Sequence, residues 1–307
     1  MRRALCSSFR DRRRRPGSPL LNRVTFRLHV SGNLARGSSR DDSGASAIIA
    51  SMTGGQSLAL VASGVGAGVM NAMAGGGTLL SFPALVFLGE PAIVANATSA
   101  VALLPGSASS LYGYRREVRE RGAGWRFLLL PSLLGGAIGA VLLLSTPART
   151  FERLAPFLVL FATALFAVQG AFPRWTLSSG AADAGRRRIA AAWLLQFAVS
   201  IYGGYFGAGI GILMLALFGF LGVADIHAAN GLKSFFTICI NGVAAAWFIA
   251  RGAVDWPSAL VLAIGAIVGG YAGARFARSI GQERARAAVV AIGLAVAVLL
   301  FLQRTRI

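Results

Sequence analysis

The chain predicts an all-α, polytopic integral membrane protein made of two homologous, inverted helical repeats with glycine-broken helices. Three observations carry that expectation. Of 307 residues, 55% are hydrophobic and 13% charged, and the mean hydropathy is +0.65, outside the range of ordinary soluble domains. Apolar segments of membrane-spanning length follow one another from about residue 58, separated by short basic loops. Glycine clusters recur inside two of those segments, at positions one fixed offset apart.

The first element, residues 1–55, is a basic extension with eleven arginines in its first 50 residues, as in "RDRRRRPGS". It has no steady hydrophobic period, so disorder is expected. A targeting sequence, an anionic-lipid contact and an over-long start upstream of Met52 all fit it. Apolar segments follow at about 58–88, 92–114, 125–145, 153–172, 190–221, 227–249, 256–276 and 285–303. They form a first membrane repeat at 56–172 and a second at 190–307, joined by a basic linker at 173–189 that contains "GRRR". The first and fifth segments are too long for one straight crossing, and both hold glycine clusters. The net charge of +19 sits in the extension and the loops, which is the distribution of a positive-inside membrane protein and not of a nucleic-acid binder. Cys6 and Cys239 make no disulfide framework, one being in the basic extension and the other inside an apolar span.

An offset of 134 residues brings the halves into register. Gly75 and Gly77 fall on Gly209 and Gly211, Asn96 on Asn230, "GGAIGA" (135–140) on "GGYAGA" (269–274), and Gln169 on Gln303. Internal repetition of this kind is how many transporters are built. The loop at 115–124 carries four arginines and that at 146–153 two, whereas the loop at 250–255 carries one and that at 275–286 four. The basic side has moved by one loop, as expected for an inverted second copy with an odd number of passes per half. Four apparent segments per half is an even number, so each long, broken segment has to count twice or re-enter.

The glycines themselves are costly, at about 1 kcal/mol each relative to alanine in a helix. Non-helical backbone at membrane depth is tolerated only in a protein interior or along a polar cavity, and half-helix N-termini make anion sites. Breaks at Gly75, Gly76 and Gly77 and at 207–211, which includes Gly209 and Gly211, are therefore read as substrate-binding backbone. "GVGAGV" (64–69) is read as close helix packing, since no strand precedes it to make a nucleotide loop. Asn230, Lys233, Thr237 and Asn241 share one face of a helix. Lys233 is the sole lysine in the chain, and a cation in hydrocarbon costs upward of about 2.5 kcal/mol, so a cavity or partner is expected around it in preference to snorkelling. The matching face of the first half reads Asn96, Ser99, Leu103 and Ser107, with Thr98 nearby.

"GVMNAMAGGGTLLSFPALVFLG" and "ANATSAVALLPGSASSLYGYRR" in the first half, with "YGGYFGAGIGILMLALFGFLG", "NGLKSFFTICINGVAAAWFIARGAVDW" and "GGYAGARFAR" in the second, resemble the sulfite exporter (TauE/SafE-like) family of membrane permeases. The resemblance spans about 58–303 and leaves out the basic extension. It implies a transporter of sulfur-containing anions such as sulfite or sulfonates, with two homologous helix bundles in a bacterial inner membrane. The family's usual Gly-Thr-Ser stands here as "NATS", and the second copy reads "NGLKS" with a lysine.

An enzyme is not expected. His227 is the one histidine in the membrane region, and neither HExxH, a Cys/His cluster nor an intramembrane aspartate pair is present in the sequence. A membrane scaffold without transport activity is the alternative, but it leaves the repeated polar faces without a purpose. No carboxylate falls inside a span, so a carboxylate proton relay is not expected, and His227, beside Asp225, is read as structural. The expected partners are a small anionic substrate and membrane lipids, with no nucleic acid, cofactor or metal; whether the chain forms a homodimer stays open. Alternating access at the two breaks, using Asn96, Ser99, Asn230 and Lys233, is the expected mechanism.

Overall fold

A computed structural model describes residues 54–120, 124–168, 182–223, 225–276 and 282–304. The basic extension up to residue 53, the linker up to residue 181 and Gln169 lie outside the described residues. The regular elements among the described residues are all helices, because in a lipid interior only intrahelical bonding satisfies a single segment's backbone. In order the helices are α1 (Gly54–Ala74), α2 (Thr78–Phe87), α3 (Ala92–Gly113), α4 (Arg115–Glu120), a 3-10 turn (Arg126–Leu128), α5 (Leu129–Ser145), α6 (Ala148–Val168), α7 (Ala182–Tyr205), α8 (Ile210–Phe220), α9 (Ile226–Ala250), α10 (Trp256–Phe276) and α11 (Gln282–Arg304). Among the described residues five stretches are long and apolar enough to cross a membrane: Ala92–Gly113, Arg126–Ser145, Ala148–Val168, Ile226–Ala250 and Trp256–Arg275.

The two long apolar segments do break, and each turns back on itself. Ser63 on α1 donates to the Leu80 carbonyl on α2 at 3.2 Å, and a Cβ added to Gly77 would meet the Ala67 carbonyl oxygen at 2.5 Å. Arg188, early in α7, donates through Nε to the Phe220 carbonyl at the end of α8 at 3.1 Å. Thus α1–α2 and α7–α8 are helical hairpins. The second break is shorter than the predicted 207–211, since Ile210 and Gly211 already belong to the first turn of α8.

Most of the remaining packing crosses between the two parts of the chain. The most extensive helix contacts are α1 with α10 and α5 with α7. Both are seams of small residues that let backbones touch. A Cβ on Gly64 would lie 2.3 Å from the Leu262 carbonyl oxygen, one on Gly68 2.4 Å from that of Ala266, and one on Gly269 2.0 Å from that of Val65. A Cβ on Gly135 would lie 2.7 Å from the Phe197 oxygen, and one on Gly139 2.2 Å from that of Ile201. In both pairs the contacts advance in the same direction, so the helices run parallel. The expected packing role of residues 64–69 is the one observed. By contrast α3 and α9 run antiparallel, Ser110 meeting Ser234 at 3.2 Å while a Cβ on Gly231 would lie 3.2 Å from Tyr114 just past α3, and so do α6 and α11, where the Phe157 and Phe301 rings meet at 5.2 Å and a Cβ on Gly293 would lie 2.2 Å from Thr163.

The distribution of polarity is that of a protein in lipid. Leu133, Ile138, Phe157, Ile264 and Val268 are exposed, while Thr98, Ser99, Gln196 and Lys233 are buried. The seams set a testable cost: Gly269→Val is expected to lower folded yield and thermal midpoint sharply, since its side chain would press on backbone. Gly242, on α9, has nothing within 4 Å of an added Cβ, so Gly242→Ala is expected to hold or raise the midpoint through helix propensity, by up to about 1 kcal/mol. Detergent chromatography and thermal unfolding of both variants read the difference; the reverse ranking would contradict the packing account.

Candidate functional site

Gly75 closes α1 in a left-handed conformation (φ 74°), and its N–H bonds back to the Met70 and Asn71 carbonyls, both at 3.1 Å. This is how glycine ends a helix. After it the chain enters α2, whose second and third N–H groups are taken up by short-range bonds: Leu79 donates to the Gly76 carbonyl at 2.9 Å and Leu80 to that of Gly77 at 3.0 Å. Ala74 apart, the N–H groups of Gly76, Gly77 and Thr78 meet no backbone acceptor among the described residues. Helix starts leave such donors over, with a partial positive charge of about half a unit.

The second break lies directly against the first. The Gly211 N–H faces the Gly75 carbonyl at 3.4 Å, and a Cβ on Gly75 would come within 2.4 Å of Gly211 Cα. Gly209, the residue preceding α8, is left-handed at φ 77°. Phe166 of α6 closes over the first break, so a Cβ on Gly76 would meet its ring at 2.1 Å. Gly75, Gly76, Gly77, Gly209 and Gly211, far apart in sequence, therefore form one buried crossing.

Side chains from α3 and α9 attend the two helix ends at this crossing. Lys233 on α9 donates to the Asn71 carbonyl at 3.0 Å, to the Ala72 carbonyl at 2.8 Å and to Asn230 Oδ1 at 3.0 Å. An ammonium has three donors, and all three are engaged. Lys233 is 1% exposed, so it does not snorkel. On the other side Asn96 of α3 donates through Nδ2 to the Tyr205 carbonyl at the end of α7, at 2.9 Å. Its Oδ1 is buried with no hydrogen-bond partner among the described residues. The offset of 134 that maps Asn96 onto Asn230 also maps Asn71 onto Tyr205. Each broken helix is thus capped by the matching helix of the other half.

The other predicted residues are placed less uniformly. Ser99 pairs with Ser81 of α2, their hydroxyls 2.5 Å apart, beside the first hairpin. Asn241 is buried on α9, two turns beyond Lys233. Thr98 points elsewhere, its hydroxyl accepting from the Asp255 N–H at 2.9 Å ahead of α10. Sequence reasoning missed Asn71, which offers its carbonyl to Lys233 while its amide donates to Ser107 Oγ at 2.7 Å, and it missed Ser81 and Tyr205. Ser81 lies one turn beyond the glycines and was findable from helical spacing. A main-chain carbonyl such as that of Tyr205 leaves no sequence signal.

Where α2 leads into α3, burial first and the Asp255 carboxylate second push the Glu90 carboxyl above the usual carboxylate range. A carboxyl raised in the folded state stabilises it while protonated, and loses that contribution as pH climbs toward the raised value. The thermal midpoint is expected to fall as pH rises just above the carboxylate range, and Glu90→Gln to remove that portion of the slope; an unchanged slope would refute the assignment. The crossing itself is tested by Gly75→Ala against Gly89→Ala. Both glycines have positive φ, but Gly89 (φ 98°) has nothing within 4 Å of an added Cβ. Gly75→Ala is expected to lower the thermal midpoint by several degrees more than Gly89→Ala, because only it forces the two breaks apart; equal losses would mean backbone strain alone is at work.

Comparison with known proteins agrees with this architecture. The family model described as "Sulfite exporter TauE/SafE" matches residues 60–300. A "Probable membrane transporter protein" of Haemophilus influenzae is 31% identical over 230 residues, covering 73% of this chain and 86% of that protein. "Probable membrane transporter protein ORF9" of Sinorhizobium sp is 25% identical over 241 residues, 78% of this chain and 90% of that one. "Probable membrane transporter protein YfcA" of Escherichia coli K12 is 27% identical over 229 residues, 74% and 82% respectively. No solved structure matches the chain. A glycine crossing flanked by two helical hairpins in a lipid-facing, all-helical chain, matched from residue 60 to 300, places this protein in the TauE/SafE sulfite exporter family of multi-pass membrane transporters.

Proposed function

We propose that the chain carries small sulfur-containing anions, such as sulfite or sulfonates, across a bacterial inner membrane by alternating access at the two helix breaks. The observation that carries the reading is the set of N–H groups at Gly76, Gly77 and Thr78, which, Ala74 apart, meet no backbone acceptor among the described residues and stand where the breaks cross. Preformed donors at a helix start can replace the hydration of an anion. The family description names sulfite, and the relatives quoted above belong to bacteria.

Lys233 has an electrostatic part in this scheme. The C-terminal end of α1 carries about half a negative charge and lies three residues from the positive start of α2, so the two ends oppose each other. An ammonium on the Asn71 and Ala72 carbonyls offsets the negative end and leaves the crossing net positive. In this scheme Asn96, Ser99, Asn230 and Asn241 tune the wall of the site.

The reading also takes the halves as inverted repeats, 56–172 and 190–307. Counting each hairpin as two legs makes five legs per half, the odd number that inversion requires. Opposed directions of α3 and α9, and of α6 and α11, support it, as does the exchange of α5 and α10 between halves. Rocking one hairpin pair against the other would then expose the crossing alternately to the two faces.

Uptake of labelled sulfite, sulfoacetate and taurine into proteoliposomes, with and without a pH gradient, tests the substrate class; failure of all three to move would reject it. Lys233→Met is expected to cut anion transport per folded molecule by about tenfold or more, given up to ~2 kcal/mol for a partly buried charge at a helix end. Lys233→Arg retains charge in a different shape, and partial activity with changed substrate preference is expected. Transport by Lys233→Met equal to the parent would remove the lysine from the mechanism.

A further inference from the structure

Three oxygens converge on Lys233 Nζ: the carbonyls of Asn71 and Ala72 at 3.0 and 2.8 Å, and Asn230 Oδ1 at 3.0 Å. All three are neutral. Among the described residues no carboxylate pairs with the ammonium, although a buried charge ordinarily takes an opposite charge as partner. Two of the oxygens come from the end of a broken helix and the third from a different helix about 160 positions along the chain. Carbonyl and amide oxygens at the C-terminal end of a broken membrane helix are the ligand type that replaces the hydration shell of a small monovalent cation.

Capping alone does not account for the charge. The corresponding end of α7 is served by a neutral group, the Asn96 amide on the Tyr205 carbonyl, and the position that matches Lys233 is Ser99, whose hydroxyl turns to Ser81. Snorkelling does not account for it either, because the ammonium head is buried with all its donors engaged. We propose that Asn71 O, Ala72 O and Asn230 Oδ1 form a monovalent-cation site, and that Lys233 fills it as a tethered cation belonging to the chain. The resident charge holds the end of α1 against α9 without a free alkali ion. Cutting the tether while leaving space turns the position into a site for a free small cation.

The inference is independent of which anion the protein carries, and its test contains no sulfur anion. Purified full-length parent, Lys233→Ala, Lys233→Gln and Lys233→Met are unfolded thermally in detergent at one fixed chloride concentration, with sodium, potassium, ammonium, n-butylammonium or N-methyl-D-glucamine as the cation. The parent midpoint is expected to be the same in all five. Lys233→Ala is expected to lie about 4 °C or more lower in N-methyl-D-glucamine, and to regain at least half of that loss, saturably, in ammonium, potassium or n-butylammonium. Lys233→Met, whose chain fills the same space without charge, is expected to be lowered and unresponsive. Lys233→Gln, which keeps hydrogen-bond donors but no charge, is expected to be lowered as well. A Lys233→Ala midpoint unmoved by every small cation, or a Lys233→Gln midpoint equal to the parent, would overturn the proposal. Should Lys233→Ala not be recovered folded, recovery during purification in n-butylammonium but not in N-methyl-D-glucamine gives the same answer, and recovery in neither refutes it.

Discussion

A peptide group inside hydrocarbon has no water to bond with, and this fold is arranged around two places where the chain leaves the helix at that depth. At each of those places the chain itself takes up part of the freed backbone. The Gly75 N–H returns to the carbonyls of its own helix, Gly211 approaches the Gly75 carbonyl, and Lys233 and Asn96 reach the ends of α1 and α7. Remove the crossing and each break would expose backbone that lipid cannot satisfy. The breaks therefore need each other, and neither hairpin is a self-sufficient unit.

That dependence accounts for the packing around them. Lipid supplies no hydrophobic force between helices, so association rests on close van der Waals contact and hydrogen bonds. The tightest seams join α1 to α10 and α7 to α5, binding each hairpin to a helix that is remote in the chain. Small residues are required there because backbone meets backbone. Large apolar side chains such as Leu133, Ile138 and Phe157 then face lipid, others such as Phe82, Phe151 and Phe236 fill the interior, and polar ones such as Ser99 and Lys233 turn inward. What would be an inverted pattern for a soluble protein is the ordinary one for this solvent.

The crossing also combines opposite electrostatic ends in a small space. A C-terminal helix end and an N-terminal helix start stand three residues apart, and their partial charges tend to cancel. The two breaks handle this differently, one with an ammonium and the other with a neutral amide. The asymmetry matters more than the repetition: matched positions supply the same carbonyls and the same asparagines, while a single substitution, lysine where the first half has serine, makes the two ends chemically distinct.

Much of the architecture was legible in the chain. Hydropathy and charge are local properties, so the membrane class, the succession of apolar segments and the basic loops followed from composition alone, whereas the fourth and fifth segments begin at Ala148 and Ala182, ahead of the expected 153 and 190. The glycine breaks were legible for the same reason, since a run of three glycines is costly in any helix, and the 134-residue offset followed from their recurrence. Tertiary structure decided the rest. An apolar segment of about thirty residues reads the same whether it crosses obliquely or folds back, and it takes tertiary contacts such as those of Leu80 with Ser63 and of Phe220 with Arg188 to distinguish the two. Helical periodicity put Asn230 and Lys233 on one face, yet it could not say that the lysine would hold the main-chain oxygens of Asn71 and Ala72, or that Thr98 would turn toward Asp255. Every residue carries a carbonyl, so sequence does not mark the ones a side chain will find; which carbonyl lies within reach is fixed only when distant helices are brought together.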